Sequence, residues 1–157
     1  GNWEEVPSMN YVRSEFSLVP FKGYLYAIGG YVTQEIERFK PNTDKWEIIP
    51  DSLHGGSYTI GAVHGEKIYI SHKSSSQFVI YCPDGNTWQE LFPPPERYWM
   101  TSTALINDKL FMVGGKDNET KEYSKSVFEF DVNAREWTRS QDMDFARAQH
   151  CCVVVNH

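Results

Sequence analysis

Residues 24–46 of this 157-residue chain read YLYAIGGYVTQEIERFKPNTDKW. Two short runs, Tyr24–Ile28 and Ile36–Phe39, are rich in aromatic and β-branched residues, and a polar turn separates the second run from Trp46. Short runs of this composition, bounded by Gly, Pro, Asn or Asp, predict β-strands. Because no window keeps an apolar period of about 3.6 residues, we expect almost no helix.

The quoted stretch is one copy of an internal repeat marked by tryptophan. Trp3, Trp46, Trp88 and Trp137 lie 43, 42 and 49 residues apart, whereas Trp99 falls outside the series. The last three members of the series each follow three strand-like runs and a polar turn, and each begins a fourth run. Four short strands in a unit of about 40–50 residues are typical of a β-propeller blade.

The repeat predicts an all-β fold built from four-stranded antiparallel blades. The expected units are the fourth strand of a preceding blade at 1–9, complete repeats at 10–53, 54–95 and 96–143, and the first strand of a following blade at 144–157. Open strand edges are templates for pairing with other chains. We therefore expect the chain to self-associate through its two ends.

The charge balance narrows the classes of partner. Lys and Arg number 15 against 21 Asp and Glu, which gives a net charge of −6. An acidic chain lacks the basic footprint of nucleic-acid binding. No stretch approaches the roughly 18 apolar residues of a membrane helix. We expect neither a nucleic acid nor a membrane among the partners.

Cysteine usage indicates a reducing compartment. Cys82, Cys151 and Cys152 are an odd number without paired spacing, unlike a disulfide framework. Because no secretory signal is visible, we expect a cytoplasmic protein. His150 and Cys152 would share one face of a strand, but no further ligand pair follows at zinc-like spacing. We predict no metal and no cofactor.

Several motifs together give the chain a family resemblance. Residues 28–30 and 113–115 each end a strand in a Gly-Gly pair, and residues 39–46 look like a Tyr-Asp-Pro…Asn-x-Trp stretch. Arg13 and Arg147 each complete a pattern of Trp, then Met six residues on, then Arg four residues later. Over essentially the whole chain these features resemble kelch repeats, and most of all those of BTB-kelch adaptors.

The resemblance implies a kelch β-propeller, of which three repeats are about half of a ring, and a protein-interaction function without catalysis. In BTB-kelch adaptors the propeller holds a protein or peptide substrate, while a region absent from this chain engages a cullin-RING ubiquitin ligase. The alternatives are a cytoskeletal, actin-binding kelch protein or an F-box adaptor. A metal-dependent kelch enzyme has the least support from the residues.

The resemblance also locates a binding face, made of the loops between second and third strands and those that enter each first strand. There Arg13 and Arg147 can bind an acidic peptide, or can hydrogen-bond to backbone carbonyls between blades. Loops on a rigid scaffold commonly carry binding residues. The expected partner-binding residues are Arg13, Tyr31, Arg147, Tyr11, Ser14, Tyr58, His72, Arg97, Tyr98 and Asn118.

The middle repeat departs from this pattern. His72 and Lys73 stand where the Gly pair is expected, and Gly56 stands roughly at the position of Arg13. A Gly pair permits positive φ angles and close backbone approach. Either the backbone of this repeat differs locally, or the repeat presents a side chain near the central channel.

Overall fold

The computed structural model describes residues 2–50, 56–57, 59–72, 77–96 and 98–155. Every regular element in those residues is a β-strand, and twelve of the fourteen strands form three separate four-stranded antiparallel sheets. The sheets remain open and do not join into one. The prediction of an all-β fold made of propeller blades is confirmed.

The three sheets are called here the first, second and third blade. The first contains β1 (Ser17–Phe21), β2 (Tyr24–Ile28), β3 (Ile36–Phe39) and β4 (Trp46–Ile48). The second contains β5 (Ile60–His64), β6 (Lys67–Ser71), β7 (Phe78–Cys82) and β8 (Thr87–Leu91). The third contains β10 (Ser102–Ile106), β11 (Lys109–Val113), β13 (Val127–Asp131) and β14 (Glu136–Arg139). A separate two-stranded ribbon pairs β9 (Tyr98–Trp99) with β12 (Lys116–Asp117).

The blades share one register. The first residues of β1, β5 and β10 pair with the last residues of β2, β6 and β11. Two-residue turns close these hairpins, and both residues of Lys22-Gly23 and of Asn107-Asp108 have positive φ. Such turns match the twist of antiparallel strands. The shared register makes positions in the three blades directly comparable.

The core lies between blades, because alternate residues of each strand point to opposite faces. In β6, Ile68 and Ile70 pack toward the first blade, whereas Tyr69 packs with Phe78 and Phe130 toward the third. Each of these side chains is at most 4% exposed. Full burial of such a side chain contributes about 1.5–3 kcal/mol, so the inter-blade packing holds the molecule together.

The repeating tryptophans pack within their blades, and Trp46 and Trp137 also close the first and third blades against the segments that enter them. Trp46 and Trp88 stack on the opposite residues of the neighbouring strand, Phe39 and Tyr81, with ring centroids 5.3 and 4.3 Å apart. The indole N–H of Trp46 donates to the Pro7 carbonyl at 2.9 Å. The equivalent bond in the third blade runs from Trp137 to the Phe92 carbonyl. These packing contacts explain why a tryptophan recurs in each repeat.

The segments at the two ends of the described chain do not form complete blades, although the C-terminal segment makes a hydrogen bond like those between blades. Cys152 N–H donates to Ser102 Oγ at 2.7 Å, as Gly61 N–H of β5 donates to Ser17 Oγ at 3.0 Å. Residues 149–155 thus follow the third blade as β5 follows the first. Trp3 is fully exposed, because the strands that stack on the other tryptophans have no counterpart around it in the described residues.

Candidate partner-binding face

The loops between second and third strands contact the loops that enter the first strands, and together they form what we call the loop face. Tyr31 N–H donates to the Ser14 carbonyl at 2.8 Å, and Gly30 N–H donates to the Gly56 carbonyl at 3.0 Å. In the third blade, Gly115 N–H donates to the Arg147 carbonyl at 2.8 Å. The loop of the first blade is therefore held between the entering loops of its own blade and of the next.

Glycine pairs allow the loops to come close enough to form these backbone hydrogen bonds. Gly30 and Gly115 have φ angles of +132° and +113°. A Cβ at Gly30 would lie 2.9 Å from Arg13 Cβ, and one at Gly115 would lie 2.6 Å from Thr101 Cγ2. Contacts this short are sterically forbidden, so only glycine allows the backbones to approach. The predicted role of the Gly pairs agrees with this geometry.

Arg13 lies inside the first blade. Its side chain is fully buried, and one nitrogen donates to the carbonyls of Ala27, Gly29 and Glu35 at 3.3, 2.7 and 2.9 Å. Another nitrogen pairs with the Glu37 carboxylate at 2.5 Å. The prediction that Arg13 contacts a partner does not fit this position. The alternative, hydrogen bonds to backbone carbonyls, describes it, except that the carbonyls belong to its own blade.

The Glu37 carboxylate gathers the entering loop around it. Besides Arg13, it accepts hydrogen bonds from Asn10 N–H and Asn10 Nδ2, both at 2.7 Å, and from Tyr11 N–H at 3.2 Å. Burial alone would raise the pKa of Glu37, but the Asn10 and Arg13 donors outweigh it and hold the pKa below 4.5. Glu37 is therefore a charged structural anchor.

Arg147 is exposed, in contrast to Arg13. Its backbone is fixed, because Arg147 N–H donates to the Ser124 carbonyl at 3.0 Å and its own carbonyl binds Gly115. Its guanidinium makes no ion pair within the described residues. With burial as the larger cause, the charge of Arg147 helps to lower the pKa of His150. The guanidinium is exposed in the described residues, which include no sheet after Arg147.

The remaining candidates differ in availability. Tyr31 is 72% exposed and Tyr11 38% exposed, and Ser14 and Asn118 are exposed as well. Tyr98 is half-buried, and its hydroxyl donates to the Glu96 carboxylate. Tyr58 and Arg97 lie outside the described residues. Tyr31 and Ser14 are brought together by a backbone hydrogen bond, whereas no hydrogen bond or ion pair in the described residues joins Arg13 with Arg147.

The second blade, which lacks the Gly pair, has a different backbone conformation at the first position of that pair. His72 occupies the position of Gly29 and Gly114, which have φ angles of +64° and +59°, but His72 has no positive φ. Its side chain is only 6% exposed. Of the two alternatives for this repeat, the structure shows at His72 a local difference in backbone and a buried side chain. Lys73 lies outside the described residues.

On the opposite side of the molecule, called here the short-turn face, ion pairs of Lys22 and a contact between His64 and Asp108 connect turns of successive blades. The Lys22 ammonium contacts Glu66 and lies 2.7 Å from Asp84 Oδ2. His64 Nε2 lies 3.6 Å from Asp108 Oδ1. Lys22 and His64 on this face thus lie against the protein's own carboxylates.

Sequence reasoning missed one surface entirely and, although it named Tyr98 and Asn118, missed the strand pairing that forms a second. One is a groove of about 890 Å³ between β8 and the β13–β14 turn, lined by Leu91, Phe92 and Trp137 among others. The other is a cluster of aromatic and basic side chains on the β9–β12 ribbon. Trp99, outside the tryptophan series, was the available signal for the ribbon, but its pairing partner could not be read from the sequence.

No cluster of three or more potential metal ligands is found in the part of the chain that the structure describes. A search of the same residues for a helix long and apolar enough to cross a membrane also finds none. The exposed groups of the loop face include the Tyr31 ring, the Ser14 hydroxyl, the Arg147 guanidinium and the carboxylates of Glu119 and Glu122.

Comparison with known proteins agrees with this architecture. The model of the Kelch motif matches residues 13–52 and 100–144, together more than half of the chain. The chain belongs to the kelch-repeat family. The matched ranges leave out the second kelch repeat, the one in which His72 and Lys73 replace the Gly pair.

Three relatives illustrate the similarity. Kelch-like protein 23 from Homo sapiens is 22% identical over 83% of the chain and 25% of its own length. Kelch repeat and BTB domain-containing protein 2 from Homo sapiens is 26% identical over 96% of the chain and 27% of its length. Kelch-like protein 25 from Xenopus tropicalis is 24% identical over 98% and 29%. The chain thus spans about a quarter of these kelch proteins.

Among solved structures, that of YjhT superimposes with a TM-score of 0.72 over 87% of this chain and 54% of that one, at 15% identity. This likeness shows the fold. The kelch repeats and the similarity to BTB-kelch proteins support a protein-interaction module.

Proposed function

We propose that this chain is the substrate-recognition part of a BTB-kelch adaptor and that it binds a protein or peptide through its loop face. The observation that carries the proposal is the contrast between faces. Arg147 and Tyr31 are exposed on the loop face, whereas Lys22, which bridges two blades on the short-turn face, is paired with Glu66 and Asp84. Exposed arginine and tyrosine are the residue types enriched where partners bind most strongly.

The proposed adaptor role extends to a cullin-RING ubiquitin ligase, engaged by a BTB region outside this chain. The name of one relative, Kelch repeat and BTB domain-containing protein 2, supports that domain pairing. A cytoplasmic location is part of the proposal, and the three cysteines, which are free in the structure, are compatible with it.

Affinity capture from cell lysate tests the binding face. The wild-type chain is compared with Tyr31→Ala/Arg147→Ala and with the control Phe92→Ala/Lys45→Ala, and captured proteins are identified by mass spectrometry. The control also removes one exposed aromatic and one exposed cation, from the outer groove and the β3–β4 turn. We expect the loop-face variant to lose at least about fivefold of the capture, because each anchor contributes about 1 kcal/mol or more, and the control to keep it.

Equal capture by all three proteins would contradict the loop-face assignment. The ligase role is tested separately with the full-length protein in cells. Blocking cullin-RING activity should raise the abundance of the captured partner, and the loop-face double variant should abolish that dependence. A partner whose abundance ignores both treatments would overturn the adaptor proposal while leaving the interaction module in place.

A further inference from the structure

The segment that follows the third blade carries two adjacent cysteines, Cys151 and Cys152. Both thiols are free in the structure, and Cys151 is exposed whereas Cys152 is half-buried. The third cysteine of the chain, Cys82, lies far away in sequence at the end of β7. An accessible thiol with a second thiol beside it is the arrangement typical of reversible cysteine oxidation.

The repeat does not account for these two cysteines. Their hydrogen bond to the third blade places Cys151-Cys152 where the second blade has Ile60-Gly61. The shared register places Ser17-Leu18 and Ser102-Thr103 at the same two positions of the first and third blades. None of the three blades has a thiol at either position, so the packing of a first strand requires none there.

Two hydrogen bonds hold the segment against the third blade, one on each side of the Cys151 side chain. Gln149 N–H donates to the Met100 carbonyl at 3.0 Å, and Cys152 N–H donates to Ser102 Oγ at 2.7 Å. Between these anchors the Cys151 thiol is open to solutes. Its Sγ lies 3.6 Å from the Cys152 carbonyl oxygen, so the thiol already rests against the backbone of its neighbour.

The anchor at Ser102 and a disulfide between the two cysteines compete for the same peptide group. The N–H that binds Ser102 Oγ belongs to the peptide that links Cys151 to Cys152, and a ring closed by the two sulfur atoms contains that peptide. Adjacent side chains of an extended segment point to opposite sides, in agreement with the different exposure of the two thiols. The linking peptide must therefore rotate before the sulfur atoms can meet, and rotation removes its N–H from Ser102.

We propose that Cys151 and Cys152 form a reversible redox modification site, in which a peroxide oxidises them to a disulfide and residues 151–155 are thereby released from β10. The reduced, docked segment is the state seen in the structure. In a reducing compartment such a disulfide is transient, as is typical of redox sensing. The inference goes beyond the proposed function and requires no partner.

The oxidation is balanced by one molecule of hydrogen peroxide. The Cys151 thiolate attacks a peroxide oxygen, the O–O bond breaks, and a sulfenic acid and hydroxide form; the hydroxide takes the proton that the thiol released. The Cys152 sulfur then attacks the sulfenic sulfur. The S–S bond forms, the S–O bond breaks, and the hydroxyl group leaves as water with the Cys152 proton. Two thiols and one peroxide thus give one disulfide and two waters.

Peroxide treatment followed by alkylation and tryptic mass spectrometry tests the proposed bond. Trypsin cleaves after Arg147, so both cysteines lie in one peptide, residues 148–157, and Cys82 lies in another. We expect the 148–157 peptide to lose about 2 Da and to escape alkylation, and dithiothreitol to restore both thiols by exchange. A product that joins two chains, or sulfonic acid at Cys151 with Cys152 still alkylated, would overturn the inference.

Four variants test the mechanism. Cys151→Ser and Cys152→Ser should each abolish the reversible product, because a single thiol cannot close the ring. Ser102→Ala should speed ring closure by about fivefold, the factor that one ordinary net hydrogen bond supplies. Its matched control is Ser17→Ala, which removes the equivalent hydroxyl between the first and second blades and should leave the rate unchanged. Equal rates in the two alanine variants would overturn the competition for the peptide group.

Hydrogen exchange of the reduced and oxidised wild type tests the release of the segment. We expect the backbone amides of residues 149–155 to exchange faster after oxidation, and those of β11 to stay as protected as before. A disulfide that forms without faster exchange would overturn the release. Because these measurements use the chain alone, their failure leaves the proposed binding function untouched, and equal capture by the loop-face variants leaves the redox site untouched.

Discussion

Arg13 Nη2 lies 2.5 Å from Glu37 Oε1, and both side chains are completely excluded from solvent. The pair joins the loop that enters the first blade to β3 of the same blade. At the corresponding register positions the second blade has Gly56 and Val79. One blade thus uses a buried ion pair where its neighbour uses no charge at all.

Breaking this pair from one side should be costly. We expect Glu37→Gln to lower the free energy of unfolding by about 3 kcal/mol, because the Arg13 charge would remain buried without its counterion. Arg13→Gly/Glu37→Val, which imports the residues of the second blade, should cost less than the sum of the two single changes. Urea unfolding of the wild type, Arg13→Gly, Glu37→Val and the double variant measures the coupling energy of the pair. Additive effects would show that the pair is not an energetic unit.

The same pair predicts a dependence of stability on acid. Because hydrogen bonds hold the pKa of Glu37 below 4.5 in the folded protein, its contribution is complete above that value and is lost as the pH falls through the lowered pKa. We expect the stability difference between the wild type and Arg13→Gly/Glu37→Val to shrink between pH 5 and pH 3. Urea midpoints across this range measure it, and a constant difference would contradict the ionised anchor.

A glycine series separates backbone strain from close contact. Gly85→Ala should be nearly neutral, because Gly85 has no positive φ. Gly23→Ala should cost about 1 kcal/mol, since its φ is +76° but nothing lies within 4 Å of the added Cβ. Gly30→Ala should cost about 2 kcal/mol or more, because a Cβ there would meet Arg13 and Ser14 at 2.9 Å. Thermal unfolding measures the loss of stability in each of the three variants. A different order of losses would refute the role of Gly30 in close loop packing.

The strands could be predicted from the sequence because they depend on local alternation and turn residues. Tyr24–Ile28 alternates between two packed faces, and the Trp46 position follows from its turn. Because the sequence repeats, the same strand prediction applies to each blade. Local chemistry and tertiary packing favour the same structure in these elements, so a short stretch of sequence is enough to predict each strand.

The site could be predicted only in part, because burial depends on contacts distant in sequence. Arg13 and Arg147 occupy the same motif position, but Arg13 is enclosed by β2 and β3, which follow it, whereas the described residues after Arg147 form no sheet. The cluster of Trp99, Lys116 and Tyr123 on the β9–β12 ribbon depends on a pairing 17 residues apart along the chain. A single sequence does not display such register.

His150 should make the third blade sensitive to mild acid. Its two ring nitrogens are buried without hydrogen-bond partners in the described residues, and burial, with the charge of Arg147, holds its pKa below 6.5. The neutral ring is fully compatible with folding above pH 6.5, and stability is lost as the pH falls below that value.

His150→Thr imports the residue at the same position of the second blade, Thr59, whose hydroxyl donates to the Gly56 carbonyl. We expect the variant to flatten the decline in stability between pH 7 and pH 5. Urea unfolding at several pH values measures the slope. An unchanged slope would assign the pH dependence to other groups.

The two ends should make the chain self-associate. Trp3 is fully exposed, and Val153 and Val155 are 76% and 66% exposed on a segment without a strand partner. We expect sedimentation velocity to show a concentration-dependent increase in mass. Val153→Lys/Val155→Lys should suppress it, because charges on a strand edge disfavour edge-to-edge pairing.

The control for edge pairing is Val12→Lys/Val32→Lys, which makes the same substitutions at residues 79% and 66% exposed in the loop face. Because these loops present no open strand edge, the control should associate as the wild type does. Equal suppression by both pairs would mean that added charge, rather than edge pairing, controls association. A wild-type chain that sediments as an 18.2 kDa monomer at all concentrations would refute the edge prediction itself.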